Sequence, residues 1–282
     1  MIQTVCICGA GTMGSGIAQA SASSGFYTIL YELNDAVLEK AKASIEKNLQ
    51  VLVEKNKIQP AVKKETFNNL HFTNNLFDCL ADVVIEAIIE KPEAKIALLN
   101  QLAEINHSET VFASNTSSLS LTEIAKGVKN PERVIGMHFF NPATIMKLVE
   151  VVSTDYTNTE TTNIILDLAK QMDKTPVLCK DSPGFIVNRV ARPFYIESLR
   201  LAEENIADFS TIDLLMESTG FKMGPFKLMD LIGNDINYAV SCSVYEQLDN
   251  PERLRPSVIQ KEKVESGQLG KKIGKGYYDY NN

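Results

Sequence analysis

The sequence lacks an excess of positive charge: 28 lysines and arginines face 35 aspartates and glutamates, a net charge of −7 over 282 residues. Nucleic-acid binding depends on neutralising phosphates with Lys and Arg, so this balance argues against such a partner. No apolar run approaches the roughly 18 residues of a membrane span, and no membrane association is expected. The N-terminus has no basic stretch or small-residue cleavage site and enters a strand-like run at once, so no signal peptide is expected. Histidine is scarce: His71, His107 and His138 are the only candidates for an imidazole base. Cysteine is odd in number. Cys6, Cys8, Cys79, Cys179 and Cys242 lie mostly in apolar strand-like runs and read as free buried thiols of a reducing compartment, which is to say a cytoplasmic protein. Cys6 and Cys8 share a strand face without further ligands nearby, so no metal is expected. There is no internal repeat and no low-complexity tract. With 44% hydrophobic and 22% charged residues, the chain suits about two soluble domains with real cores.

Against those absences stands one dense feature in the first 32 residues. Val5-Cys6-Ile7-Cys8 is an apolar strand, Gly9-Ala10-Gly11-Thr12-Met13-Gly14 a G-x-G-x-x-G turn, and a small-residue helix follows before Thr28-Ile29-Leu30-Tyr31-Glu32. A glycine string alone is weak evidence. Here a strand precedes it, a helix follows it, and an acid stands 18 residues past the last glycine, which is the context a dinucleotide-binding turn requires. Gly9 allows the tight turn, Gly11 the approach of a pyrophosphate, and Gly14 close packing of helix on strand. The helix N-terminus, with Thr12 and Met13 in its first turn, offers unpaired N–H groups to phosphate. Glu32 would accept hydrogen bonds from an adenosine ribose and repel a 2′-phosphate, and Leu33 follows where an Arg would be wanted. NAD is therefore expected over NADP.

Strands and helices alternate through the first two thirds of the chain. Lysine-rich helices are expected over 35–57 and 60–69, strands over 70–73 and 82–87, and a helix opening at Pro92. Strands at 111–114, 134–137, 148–152 and 177–179 follow, with helices at 121–125 and 159–172 between them. This βαβ pattern predicts an α/β fold, an N-terminal Rossmann-type doubly wound and mostly parallel sheet. The composition shifts at Asp181-Ser182-Pro183-Gly184. Beyond it helices are expected at 185–203, 211–218, 228–248 and 256–266, and no strand. The expected domains are 1–183, binding NAD, and 184–282, smaller and all-helical.

His138 ends the apolar strand Val134-Ile135-Gly136-Met137, at the rim where open parallel sheets bind ligands. It reads equally as a base and as a satisfied structural histidine. Glu150, in Leu148-Val149-Glu150-Val151-Val152, could orient it, because an acid inside a buried strand needs a partner; a surface position on an alternating strand is the other reading. Ser114-Asn115-Thr116-Ser117-Ser118 reads on its own as a turn before a helix, with Ser120 and Glu123 forming a capping box. Asn188 is a polar residue at the head of an apolar helix, where a hydrogen bond to helix-terminal backbone would also explain it.

Five motifs together carry a resemblance. Gly9 to Gly16, Ser114 to Ser118, Gly136-Met137-His138-Phe139-Phe140-Asn141-Pro142, Pro183 to Arg189 and Met223-Gly224-Pro225-Phe226 occur in the order and spacing of 3-hydroxyacyl-CoA dehydrogenases. The chain most closely resembles the short bacterial 3-hydroxybutyryl-CoA dehydrogenases, over essentially its whole length to Gly274-Lys275-Gly276-Tyr277-Tyr278-Asp279-Tyr280. The resemblance implies His138 as the catalytic histidine, Glu150 as its carboxylate, and Ser117 and Asn188 as the residues holding the substrate. It implies Glu90, Lys95 and Asn115 on the nicotinamide side of NAD, and Lys55 at coenzyme A. A family serine at coenzyme A falls on Asn48, a departure, and the ribose acid is Glu32 where Asp is common.

The activity implied by the resemblance is NAD-dependent, reversible oxidation of an (S)-3-hydroxyacyl-CoA thioester such as 3-hydroxybutyryl-CoA. A homodimer is implied too, with the helical domain closing the cleft and pairing subunits. Between Lys40 and Lys64 seven lysines outweigh Glu46 and Glu54, a local excess that favours a phosphate-bearing ligand; without the family it would read as a solvated helix face. That segment counts against a gulonate-type hydroxy-acid dehydrogenase of the same fold. Ser117, His138, Glu150 and Asn188, all present, count against a non-catalytic NAD-binding protein.

Overall fold

The structure, a computed structural model, describes residues 2–280; Met1, Asn281 and Asn282, the outer ends of the two expected domains, lie outside the described residues. Contacts divide the chain after Ser182 into two compact units.

The first unit alternates strands and helices: β1 (Thr4–Cys8), α1 (Thr12–Ser23), β2 (Tyr27–Tyr31), α2 (Asp35–Glu54), α3 (Pro60–Asn68) and β3 (Leu70–Thr73). After these come β4 (Val83–Glu86), α4 (Pro92–Ile105), β5 (Val111–Ser114), α5 (Leu121–Lys126), β6 (Val134–Phe139), β7 (Leu148–Ser153), α6 (Thr159–Gln171) and β8 (Thr175–Lys180). The strands form one sheet in the order β3-β2-β1-β4-β5-β6-β7-β8. Every neighbouring pair is parallel except β6 with β7. The near-continuous apolar strands fit a sheet covered on both faces. Along β1, Val5 and Ile7 join a core with Ile17, Ile45 and Leu49, while Cys6 and Cys8 face Leu99, Leu102 and Ile124 on the other side. The chain leaves β1 to one side for β2 and later returns to its other side for β4, which opens a crevice at their carboxyl ends.

The second unit is helical: α7 (Val187–Glu203), α8 (Phe209–Ser218), α9 (Pro225–Ile232), α10 (Asn234–Gln247) and α11 (Val258–Glu265). Tyr195, Leu199, Ile212, Phe226, Met229 and Tyr277 form its main core. Two buried aspartates tie it together. Asp213 accepts the N–H groups of Phe226 (2.9 Å) and Lys227 (3.0 Å) at the head of α9. Asp230 accepts those of Tyr277 (3.0 Å) and Tyr278 (3.1 Å), which anchors the C-terminal tyrosine segment.

Two expectations need correction. The sequence predicts one helix over 228–248, whereas α9 ends at Ile232 and α10 begins at Asn234; Gly233 between them has φ +106°, outside any right-handed helix. Cys6, Cys8 and Cys79 are buried, but Cys179 and Cys242 are only partly so. Cys179 lies on β8, which has a neighbour on one side only.

Gly14 is held by close approach and not by backbone conformation. A Cβ there would lie 1.7 Å from the Gly9 carbonyl oxygen, whereas one at Gly11 would meet nothing within 4 Å. Gly14→Ala is therefore expected to lose about 1–3 kcal/mol or more of stability through overpacking. Gly11→Ala meets no atom but places Ala at an N-cap, and should cost no more than about 1 kcal/mol. Urea unfolding of the two variants side by side checks the contrast.

Candidate active site

The glycine turn starts at Gly9, whose φ of +102° and closeness to the Ala87 carbonyl (2.6 Å from a built Cβ) admit no side chain. Gly11 caps α1, and no side chain occupies the cap. The first amides of α1, those of Thr12 and Met13 among them, have no acceptor within the helix. With open space over Gly11 and no acid in the first turn, the cradle fits a pyrophosphate. Glu32, one residue past β2, arches back over this turn: its carboxylate accepts the N–H of Ala10 at 3.1 Å and of Asn34 at 3.1 Å.

Next along the rim, β4 ends in Glu86, which is 0% exposed, and α4 contributes Lys95, 1% exposed. Lys95 Nζ lies 2.6 Å from Glu86 Oε1 and 3.1 Å from Glu90 Oε2. Glu86 also accepts the N–H of Ile88 at 2.7 Å and the Ser114 hydroxyl at 2.6 Å. Glu90 Oε1 in turn accepts the Thr116 hydroxyl at 3.0 Å and the Ser117 N–H at 3.2 Å. Glu90, Lys95 and Ser117 thus stand in one hydrogen-bonded network.

One strand further, His138 on β6 faces Glu150 on β7 as a direct antiparallel pair. Nδ1 and Glu150 Oε2 are 2.7 Å apart, and the two residues are 6% and 1% exposed. A neutral imidazole that donates Nδ1–H to this carboxylate keeps a lone pair on Nε2. The Phe140 ring packs 4.6 Å from the imidazole centroid. Asn115, just past β5, joins β4 to β6, its N–H reaching the Glu86 carbonyl (2.8 Å) and its Oδ1 accepting the Phe139 N–H (2.8 Å). Burial, then the nearby Glu150 and Asp181 carboxylates, push the Cys179 thiol up to about 11, so it stays protonated beside the pair.

A cavity of about 370 Å³ opens next to the glycine turn, walled by Gly11 and Thr12, by Lys40, Ser44 and Asn48 of α2, and by the segment 141–144 after β6. Lys174 Nζ holds that segment through the carbonyls of Ala143 (2.6 Å) and Met146 (3.1 Å). Lys40, Ser44 and Asn48 recur every fourth residue and so share a helix face. Lys55, the exposed C-cap of α2, lies about two turns beyond Asn48 on that side. The lysine excess does not all face the cavity: Lys42 sits 5.7 Å over the Phe72 ring and Lys63 donates to Gln50 at 2.9 Å.

Asn188 belongs to the second unit. It lies in the first turn of α7, whose N-cap is Ile186. His71 is 3.9 Å from Asp78 on β3's side of the sheet. Glu86, Ser114 and Thr116 complete the hydrogen-bonded network of Glu90, Lys95 and Ser117 and were not among the site residues expected from the sequence, although an acid closing the run Val83-Val84-Ile85 was a visible signal of a buried charge.

Two family models match the chain: "3-hydroxyacyl-CoA dehydrogenase, NAD binding domain" over residues 4–182, and "3-hydroxyacyl-CoA dehydrogenase, C-terminal domain" over 184–280. It is 46% identical over 281 residues to a 3-hydroxyadipyl-CoA dehydrogenase of Escherichia coli, covering 99% of this chain and 59% of that relative. It is 39% identical to the 3-hydroxybutyryl-CoA dehydrogenase of Clostridioides difficile, over 98% of each. The crystal structure of (S)-3-hydroxybutyryl-CoA dehydrogenase from Ralstonia eutropha superposes with a TM-score of 0.95 at 37% identity, covering 100% of both chains.

Glu32 offers a test of the cradle. Its replacement removes a ribose acceptor and the repulsion of a 2′-phosphate together. Glu32→Ala is expected to weaken NADH binding and narrow the gap to NADPH, both read by equilibrium titration. Preference of the unaltered protein for NADPH would refute this account of the turn.

Proposed function

The chain belongs to the 3-hydroxyacyl-CoA dehydrogenase family, and on that premise we propose that it oxidises (S)-3-hydroxyacyl-CoA thioesters reversibly, with 3-hydroxybutyryl-CoA as its substrate. The observation that carries the proposal is the buried 2.7 Å contact between His138 and Glu150, on the rim that holds the glycine turn. Bound NAD supplies the acceptor for the hydride that leaves C3. His138 Nε2 takes the hydroxyl proton as that hydride departs. Glu150 holds the ring in the needed tautomer and stabilises the imidazolium, without itself taking the proton. The Ser117 hydroxyl is proposed to bind the reacting oxygen. Asn188 is proposed as a second substrate contact. Glu90, Lys95 and Asn115 are assigned to the nicotinamide side, and Glu32 with the glycine turn to adenosine and pyrophosphate. Asn48 and Lys55 are assigned to coenzyme A, with Lys40 beside them.

A substrate with a distal carboxylate is the second reading, favoured by the 46% identity to the relative named 3-hydroxyadipyl-CoA dehydrogenase. This chain spans about three fifths of that relative's length. Exposed apolar residues of the helical unit, Leu214 (65%), Leu215 (62%) and Leu231 (53%) among them, support a homodimer formed through that unit. Five cysteines without a disulfide are consistent with a cytoplasmic setting. The proposed domains keep the boundary near residue 183, the first for NAD and the second for substrate closure and dimerisation.

NADH oxidation with acetoacetyl-CoA beside 3-oxoadipyl-CoA tests the reaction and separates the two substrates. In that assay His138→Gln is expected to retain NADH binding and lose about 10²–10⁴ in turnover, the range of general acid–base catalysis. Adding Glu150→Gln to it should cost little more, because residues acting as one unit are non-additive; fully multiplicative losses would mean separate jobs.

Lys55→Ala is expected to raise the KM for acetoacetyl-CoA and leave saturated turnover nearly intact, as a contact equal in ground and transition states does. The loss should shrink with added salt, since exposed charges are screened over roughly 8 Å at physiological ionic strength. A pantetheine substrate without the phosphates should be indifferent to the change, and an equal loss with both substrates would reassign Lys55 to the fold.

A further inference from the structure

Glu86 takes no part in the proton and hydride transfers, yet it is the most enclosed charge on the rim. Its carboxylate is 0% exposed and makes three contacts: Lys95 Nζ at 2.6 Å, the Ser114 hydroxyl at 2.6 Å and the Ile88 N–H at 2.7 Å. A buried ion pair is poor evidence of a contribution to stability, because well-packed apolar residues of similar volume do as well or better. This pair also does not end in the core. Lys95 passes from Glu86 to Glu90, whose side chain is 43% exposed, so the network starts sealed and finishes at the open crevice.

The geometry explains what each contact determines. A lysine on a flexible four-carbon stem, strongly hydrated at its tip, would extend into solvent if nothing drew it inward. Glu86 draws it inward. Lys95 then reaches Glu90 through Oε2, which leaves Glu90 Oε1 for the Thr116 hydroxyl and the Ser117 N–H. The orientation of the carboxylate on the cofactor side and the backbone of the substrate serine both descend from one acid below them. We infer that Glu86 is the positioning residue of this site: by pinning the Lys95 ammonium it sets Lys95 and Glu90 for the nicotinamide end of the cofactor and fixes the Ser117 backbone.

The inference rests on the reading of Lys95 and Glu90 as cofactor contacts, and its test needs no turnover. NADH is titrated against the full chain by its own fluorescence, in a protein that has no tryptophan. Glu86→Gln keeps the shape and removes the charge. Its dissociation constant for NADH is expected to rise about 10- to 100-fold, the span of one charge-assisted hydrogen bond. In a Lys95→Met background the same change should add almost nothing, because Glu86 acts through Lys95. A merely structural acid would lower the melting temperature and leave NADH affinity alone. An unchanged constant in folded Glu86→Gln, or losses that multiply in the double variant, would overturn the inference. Should Glu86→Gln fail to fold, Ser114→Ala removes one of the three contacts more gently and is expected to weaken NADH several-fold; unchanged affinity there overturns it equally. A chain that binds NADH by these rules but does not reduce acetoacetyl-CoA would refute the proposed reaction and leave the role of Glu86 standing.

Discussion

A carboxylate taken out of water must be met by donors or give up its charge, and two such carboxylates organise this protein. Glu86 and Glu150 sit at 0% and 1% exposure on two strands of one sheet. Neither could persist beside an apolar strand alone, where an unpaired charge costs several kcal/mol. Each is answered by a neighbour on another element, Lys95 from α4 and His138 from β6. The polar part of the site is therefore not laid onto a finished core. It is the means by which two buried charges are tolerated, and the partners it recruits are a lysine and an imidazole.

The topology brings those partners to one place. In a doubly wound sheet the carboxyl ends of the parallel strands share an edge, so the ends of β1, β4, β5 and β6 line up although they are far apart in sequence. Gly9, Glu86, Ser114 and His138 stand within one residue of those ends. The one antiparallel pairing, β6 with β7, has a particular consequence. Because β7 runs against β6, His138 and Glu150 are directly opposed in register, and side chains of directly opposed residues meet on the same face.

The electrostatics are local, not global. The protein is acidic as a whole at −7, yet Lys40 of α2, the first lysine of the basic stretch 40–64, lines the cavity beside the glycine turn. Fields of this kind act over about a Debye length, so a basic patch can serve an anionic ligand on an acidic protein. Part of the lysine excess is committed elsewhere: Lys63 approaches Glu46 and donates to Gln50.

Sequence alone was enough for the features written in local patterns. The glycine turn, the strand before it and the acid after it are contiguous, so their chemistry could be read from spacing. Alternating apolar strands and helices announced a doubly wound sheet, and the Pro183-Gly184 break announced a helical remainder. Spacing could not decide the matters that depend on who faces whom. The split of the 228–248 segment at Gly233 turned on one backbone angle, and glycine is compatible with a helix until that angle is known. Glu86 looked like the last residue of an apolar run, because its partners lie 9 and 28 residues away. His138 with Glu150 was one arrangement among several until the antiparallel register of β6 and β7 set them opposite each other. Local order follows from the chain's own propensities; the pairing of buried charges follows only from the packing of distant strands, and that was left to the tertiary structure.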